Sequence, residues 1–145
     1  MGTIPTRQEV EALFERRHRA WNAHDPDAMA ATHTPDARVH SPMFGELTGR
    51  EEIAVSYAKL SRTFPDWVFG EQSLLIDGDR AVEIFSATAT HSADFMGLPA
   101  SGRKFTIQGS RLYLIRDGLV ADERRLYDFT GLLIQVGVLK GKPAV

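Results

Sequence analysis

Apolar residues recur at helical spacing in the first part of the chain. Val10, Leu13, Phe14 and Trp21 fall on one stripe, with Arg17 among them. Thr6, followed three residues later by Glu9, predicts a capping box at the start of that helix. Asn22-Ala23-His24-Asp25 ahead of Pro26 predicts its end. A second, short helix is predicted over 27–31, broken before Pro35, and a short strand over 37–40, stopped by Ser41-Pro42. Thr48 is the expected cap of a third helix over 49–62, whose inner face carries Ile53, Tyr57 and Leu60.

Beyond Phe64-Pro65-Asp66 the period shortens to that of strands. Residues 67–69 and 73–76 form one strand, closed by the turn Asp77-Gly78-Asp79, with 81–91 as its hairpin partner. Gly97, Pro99 and Gly102 punctuate a loop. A long strand then runs over 105–116, Asp117-Gly118 turns, and a last strand covers 119–128 ahead of the apolar segment 131–137. Helices followed by an antiparallel meander predict the α+β class in a single domain, 1–145. Glu83, Phe85, Ala87, Ala89 and His91 share one face of their strand, and Phe105, Ile107, Gly109, Arg111, Tyr113 and Ile115 share one face of the next. Neither face of either strand is uniformly polar, so both are expected to be covered, one by the helices and the other by a second subunit. Gly70 and Gly109 are the positions for bends in a sheet curved over the first helix, with close backbone packing as the other reading of Gly109.

Charge and composition narrow the function. A net charge of −2, with Lys and Arg dispersed, supports neither a nucleic-acid nor an anionic-membrane partner. No apolar run reaches the length of a membrane span, and no basic segment followed by an apolar stretch marks a secretory signal at the N-terminus, so a cytoplasmic protein is expected. Without cysteine there is neither a disulfide framework nor a thiolate metal site. The five histidines form no helical His-x-x-x-His pair with accompanying carboxylates, so neither metal nor cofactor is expected.

Asp128, between Leu126-Tyr127 and Phe129, is the first candidate for chemistry. Apolar surroundings would desolvate its carboxyl and raise its pKa towards neutrality, as proton transfer requires. Its position also suits the cap of a following helix. His91 is a candidate proton donor or carbonyl-binding residue, as are His33 and His40. Gln108 would orient a carbonyl, and Arg111 would bind an acidic group or pair with Asp122 or Glu123; the two sit on opposite faces of one strand. Tyr127, Trp67, Phe95 and Met96 would line or close a pocket, or simply pack.

The loop His91-Ser92-Ala93-Asp94-Phe95-Met96-Gly97-Leu98-Pro99-Ala100-Ser101-Gly102-Arg103 resembles the Thr-His-x-Gly-x-Phe-x-Gly-x-Pro-x-Thr-Gly loop of SnoaL-like polyketide and ester cyclases. Gly118-Leu119-Val120, Asp128 and Leu133-Ile134-Gln135-Val136-Gly137 resemble the closing signature of the same family. Trp21-Asn22-Ala23-His24-Asp25, Gly49-Arg50-Glu51 and Phe64-Pro65-Asp66 also fit, so the resemblance spans about residues 10–138. The chain departs from the family pattern at Ala93, at Ala100-Ser101 and at Arg124-Arg125-Leu126. The resemblance implies a nuclear transport factor 2-like fold: a cone-shaped, curved mixed sheet (an α+β barrel) around helices, usually a homodimer, with a pocket in the cone. It also implies a cofactor-free enzyme using a buried carboxylate, at Asp128 by this match, as general acid/base on a hydrophobic carbonyl substrate. Epoxide hydrolysis, dehydration or isomerisation in the same pocket, and a non-catalytic binding or association domain, are the competing expectations.

Overall fold

A computed structural model describes residues 3–141. Helix α1 spans Arg7–Asn22, α2 Pro26–Ala30, α3 Gly49–Thr63 and α4 Phe129–Gln135. The strands are β1 His33–Ser41, β2 Gly45–Thr48, β3 Val68–Asp77, β4 Arg80–Thr90, β5 Lys104–Arg116 and β6 Leu119–Tyr127. They form one six-stranded curved sheet in the order β2-β1-β6-β5-β4-β3. Only β1 and β6 run parallel. The sheet stays open, with β2 and β3 as its edges, rather than closing into a barrel.

Local chemistry accounts for the element boundaries. The capping box forms: Thr6 Oγ1 accepts from the Glu9 amide and Glu9 returns the bond to the Thr6 amide. Asp25 caps α2 through the Ala28 amide. Thr48 precedes α3, but its side chain makes no cap; instead its amide donates to Glu52. Strand β1 begins earlier than expected and runs through Pro35, which lies where the register against β6 breaks between His33 and Arg38, a site where a missing donor is tolerated.

Gly70 lies in the register shift of β3 between Phe69 and Gln72, so it bends the strand as expected. Gly109 pairs regularly with Phe85 on β4 and Tyr127 on β6. A Cβ there would meet the Leu126 carbonyl oxygen at 2.8 Å and Phe85 Cζ at 2.9 Å, so close packing, not a bulge, explains this glycine.

The alternating faces of β4 and β5 emerge as read from sequence, with Glu83, Phe85, Ala87, Ala89 and His91 buried on one strand and Phe105, Ile107, Arg111, Tyr113 and Ile115 on the other. One apolar cluster joins α1 to the end of the sheet that carries the β3–β4 and β5–β6 turns, through Val10, Leu13, Phe14, Ala81, Tyr113 and Ile115. A second, rich in aromatics, gathers Leu60, Phe64, Phe85, Phe95, Phe105, Ile107 and Leu132. The opposite face of the sheet is open, leaving Val68, Leu75, Ile84, Leu112 and Leu126 exposed.

Candidate functional site

Between the two clusters the interior turns polar. Each strand contributes by simple alternation. On β4, Glu83 lies between Ala81 and Phe85 of the two clusters; on β5, Arg111 lies between Tyr113 and Ile107 on the same face. On β6, Glu123 and Arg125 follow Ala121 inward, and on α1, Arg17 sits one turn beyond Leu13 and Phe14. All five are buried.

Glu123 organises one half of this belt. It accepts from Arg17 Nη2 at 2.9 Å on one oxygen and from Arg125 Nε on the other. Arg125 continues to the Tyr57 hydroxyl at 3.1 Å. Burial alone would raise the Glu123 carboxyl, but Arg125, Arg17 and Arg111 outweigh it and hold the pKa well below the usual carboxylate range. Arg17 Nη1 also donates to Thr32 Oγ1 at 2.9 Å and to His33 Nε2 at 3.3 Å. The other His33 nitrogen, Nδ1, faces the Met29 carbonyl at 3.0 Å, so it carries the proton and the ring is neutral. Burial first, and then Arg17, lowers the His33 pKa to about 3.

The other half centres on Glu83 and Arg111, direct partners across β4 and β5. Glu83 Oε2 lies 3.1 Å from His18 Nε2, and His18 in turn lies 3.2 Å from the Gln72 amide. Glu83 is almost wholly inside while His18 is 41% exposed, so the pair runs from interior to surface. Burial raises the Glu83 pKa, but the His18 hydrogen bond and the Arg111 charge prevail and set it below the usual value. Arg111 lies over the Phe85 ring at 4.7 Å and the Phe69 ring at 5.8 Å. Among the described residues, its Nε–H and the Tyr113 hydroxyl have no hydrogen-bond partner. A cavity of about 10 Å³, large enough for about one water molecule, is lined by Arg17, His18, Trp21, Gln72, Glu83, Arg111 and Tyr113, among others.

Of the residues singled out from sequence, only Arg111 lies in the Glu83–Arg111 half. Asp128 is exposed, not buried: its carboxylate caps α4 by accepting from the Gly131 amide at 2.9 Å. The reason is chain geometry, because β6 ends at Tyr127 and the helix that follows needs an acceptor at that position. His91 is buried, with Nδ1 held by the Ser101 hydroxyl and amide and Nε2 without a partner among the described residues. Trp67, whose Nε1 is likewise unpartnered, and Phe95 belong with the aromatic cluster. Gln108 faces outward, as the alternation opposite Arg111 requires, and lines an open groove on the outer sheet face together with Tyr127, Ile84 and Leu126. The Tyr127 hydroxyl ties down the β1–β2 turn through Ser41 Oγ at 2.8 Å and the Met43 amide at 3.0 Å. His40 is half-buried, 3.2 Å from Asp122. Met96 is exposed on its loop. His33 is engaged within the belt.

Sequence reasoning passed over Arg17, His18, Tyr113 and Arg125 and gave Glu83 no role in the site. The signal was present, because each of the charged residues Arg17, Glu83 and Arg125 occupies a position whose strand or helix periodicity points inward. Among the described residues, no group of three or more His, Cys, Asp or Glu is arranged to hold a metal ion, and no helix is long and apolar enough to cross a membrane.

Residues 11–136 match the family profile of the SnoaL-like polyketide cyclases. The chain belongs to that family. It is 31% identical over 106 residues to the aklanonic acid methyl ester cyclase DnrD of Streptomyces peucetius, covering 71% of this chain and 70% of the relative. The fold of this SnoaL-like chain superimposes on TsrD from Streptomyces laurentii with a TM-score of 0.82 at 29% identity, over 93% of this chain and 99% of TsrD. IdmH from Streptomyces antibioticus gives 0.75 at 26% identity, over 89% and 99%. The SnoaL-like assignment and the α+β fold expected from the loop and closing motifs therefore hold.

Proposed function

We propose that this SnoaL-like protein is a cofactor-free cyclase-type enzyme that closes a ring in a hydrophobic, carbonyl-containing small molecule, with proton transfer carried by the Glu83–His18 pair. The observation that carries the reading is the pair itself: a buried carboxylate 3.1 Å from a half-exposed imidazole, with the Arg111 guanidinium across the strand. In an aldol closure a base takes the proton alpha to one carbonyl, the resulting enolate attacks a second carbonyl, and the new alkoxide takes a proton back. Atoms balance without a co-reactant. An imidazole supported by a carboxylate suits both proton steps, and a guanidinium in a water-poor site favours the charge that develops on oxygen.

Asp128 stands where the family resemblance puts the acid/base carboxylate. Its exposure and its hydrogen bond to Gly131 support a capping role instead. Aklanonic acid methyl ester, which the relative DnrD is named for, is the natural first substrate to try. Ring closure would change its chromatographic mobility and absorbance without changing its mass. Glu83→Gln is expected to lower turnover at least about 100-fold, the scale of a lost general acid/base, while Asp128→Asn retains it. The reverse result would return the chemistry to Asp128.

A second reading, a non-catalytic binding domain, is favoured by the small interior space. Turnover of no ester, with both variants folded, would support it. Epoxide opening, dehydration or isomerisation would draw on the same proton-transfer pair. We also take the exposed apolar face of the sheet to be the contact of a homodimer, and the cytoplasm to be the compartment.

A further inference from the structure

We infer that the interior contains a receptor for an anionic oxygen of a small molecule, a carboxylate or an enolate, formed by Arg111 and Tyr113 and covered by His18 and Gln72. The inference rests on the reading of the interior as the substrate site and adds the chemical class of the group bound there.

Among the described residues, the belt holds one cation in excess. Three buried guanidiniums, Arg17, Arg111 and Arg125, accompany two buried carboxylates, Glu83 and Glu123. Arg17 and Arg125 both contact Glu123, and Glu83 is engaged by His18. His33 is neutral by its hydrogen bonds and adds no charge. Among the described residues this leaves Arg111 without a carboxylate in contact. Its Nε–H donor and the Tyr113 hydroxyl are both without a partner, both residues are more than nine-tenths buried, and both line the same cavity.

Charge and hydrogen bonding are satisfied separately at this cation. The Phe85 and Phe69 faces and the more distant charges of Glu123 and Glu83 offset its burial, but among the described residues none of them gives its Nε–H an acceptor. Glu83, beside Arg111 across the strands, acts against an incoming anion, while Arg17 on the same cavity wall acts for it.

Size fixes the geometry of binding. The cavity admits about one water-sized atom group, so only the anionic tip of a ligand reaches Arg111 and Tyr113. The body must displace the cover. His18 is 41% exposed and Gln72 is exposed, and both line the cavity, so they form its wall towards solvent.

The experiment uses the whole chain labelled with 15N-arginine. The Arg111 Nε–H signal, assigned by its loss in Arg111→Lys, is followed while sodium benzoate, sodium 4-nitrophenolate or benzamide is added, with the concentration dependence of the shift giving affinities. The expected result is a shift of the Arg111 signal with an anion that binds at least tenfold more tightly than benzamide. Benzoate as the better ligand identifies a carboxylate group, and 4-nitrophenolate identifies an enolate-like oxygen. Equal affinity for benzamide, binding that leaves the Arg111 signal unmoved, or no binding of either anion would overturn the receptor. The titration itself reads the native protein, and Arg111→Lys, or Arg111→Gln where the lysine variant does not fold, serves only to assign the signal. Anion binding without ester turnover keeps the receptor and removes the cyclase reading; turnover lost in Glu83→Gln without anion binding does the opposite.

Discussion

His33 links the acid stability of the protein to a single proton. Its Nε2 accepts from Arg17 and its Nδ1 donates to the Met29 carbonyl, so protonation would oppose a guanidinium and break a buried hydrogen bond. The folded-state pKa is about 3, against 6.5 for the free side chain. Between those values the unfolded chain binds more protons than the folded one, so stability rises with pH through this window and is fully present above about 6.5. On acidification the loss begins near pH 6.5 and amounts to roughly 2 kcal/mol by pH 5. Glu83 and Glu123, held low, add to the loss only below their ordinary value of 4.5. Urea midpoints measured from pH 7.5 to 5 should therefore fall in the native protein and fall distinctly less in His33→Asn. Parallel slopes would show that His33 is not the responsible group. Arg17 could be read from sequence only as an oddity in an apolar stripe; its partner Glu123 lies 106 residues away, and no local pattern joins them.

At the scale of elements, the sheet depends on close approaches as much as on alternation. Gly109 sits where β5 meets Phe85 of β4 and Tyr127 of β6, with less than 3.0 Å left for a Cβ on all three sides. Gly109→Ala is expected to cost about 1–3 kcal/mol, the range for overpacking a filled site, read as a lower midpoint in chemical denaturation. An unchanged midpoint would mean that the strands part without cost. Asp128 belongs to this scale as well. Loss of its cap in Asp128→Ala should cost about 1 kcal/mol, measurable by the same denaturation and separable from any effect on turnover by Asp128→Asn. The capping box at Thr6 was legible because both its residues are local in sequence. The run of β1 through Pro35 was not, because pairing with the distant β6 overrode a local breaker.

For the molecule as a whole, the outer sheet face is the unfinished surface. Val68, Leu75, Ile84, Leu112 and Leu126 stand exposed on it, and a groove runs between Ile84, Gln108 and Leu126. A second copy covering this face would hide much of that apolar surface. Ile84→Glu combined with Leu126→Glu is expected to convert a dimer into a folded monomer, seen by light scattering at micromolar concentration. A native protein that is already monomeric, or a dimer untouched by both charges, would remove this face as the contact.

Most helices and strands were legible along the chain, because helical and strand periods are local and survive without partners, and the motif order carried the family; β2 and the first residues of β1 were not, because they depend on pairing with other strands. The sequence also showed which residues share a face on β4 and β5, including Glu83 with Phe85 and Arg111 with Tyr113. Tertiary structure decided that these lone inward charges from α1, β4, β5 and β6 meet in one belt, and that Asp128 remains outside it as a helix cap. The physical reason is distance along the chain. A side chain's face follows from its immediate neighbours, but whether its charge is matched, shared or left over depends on elements that only the folded sheet brings together.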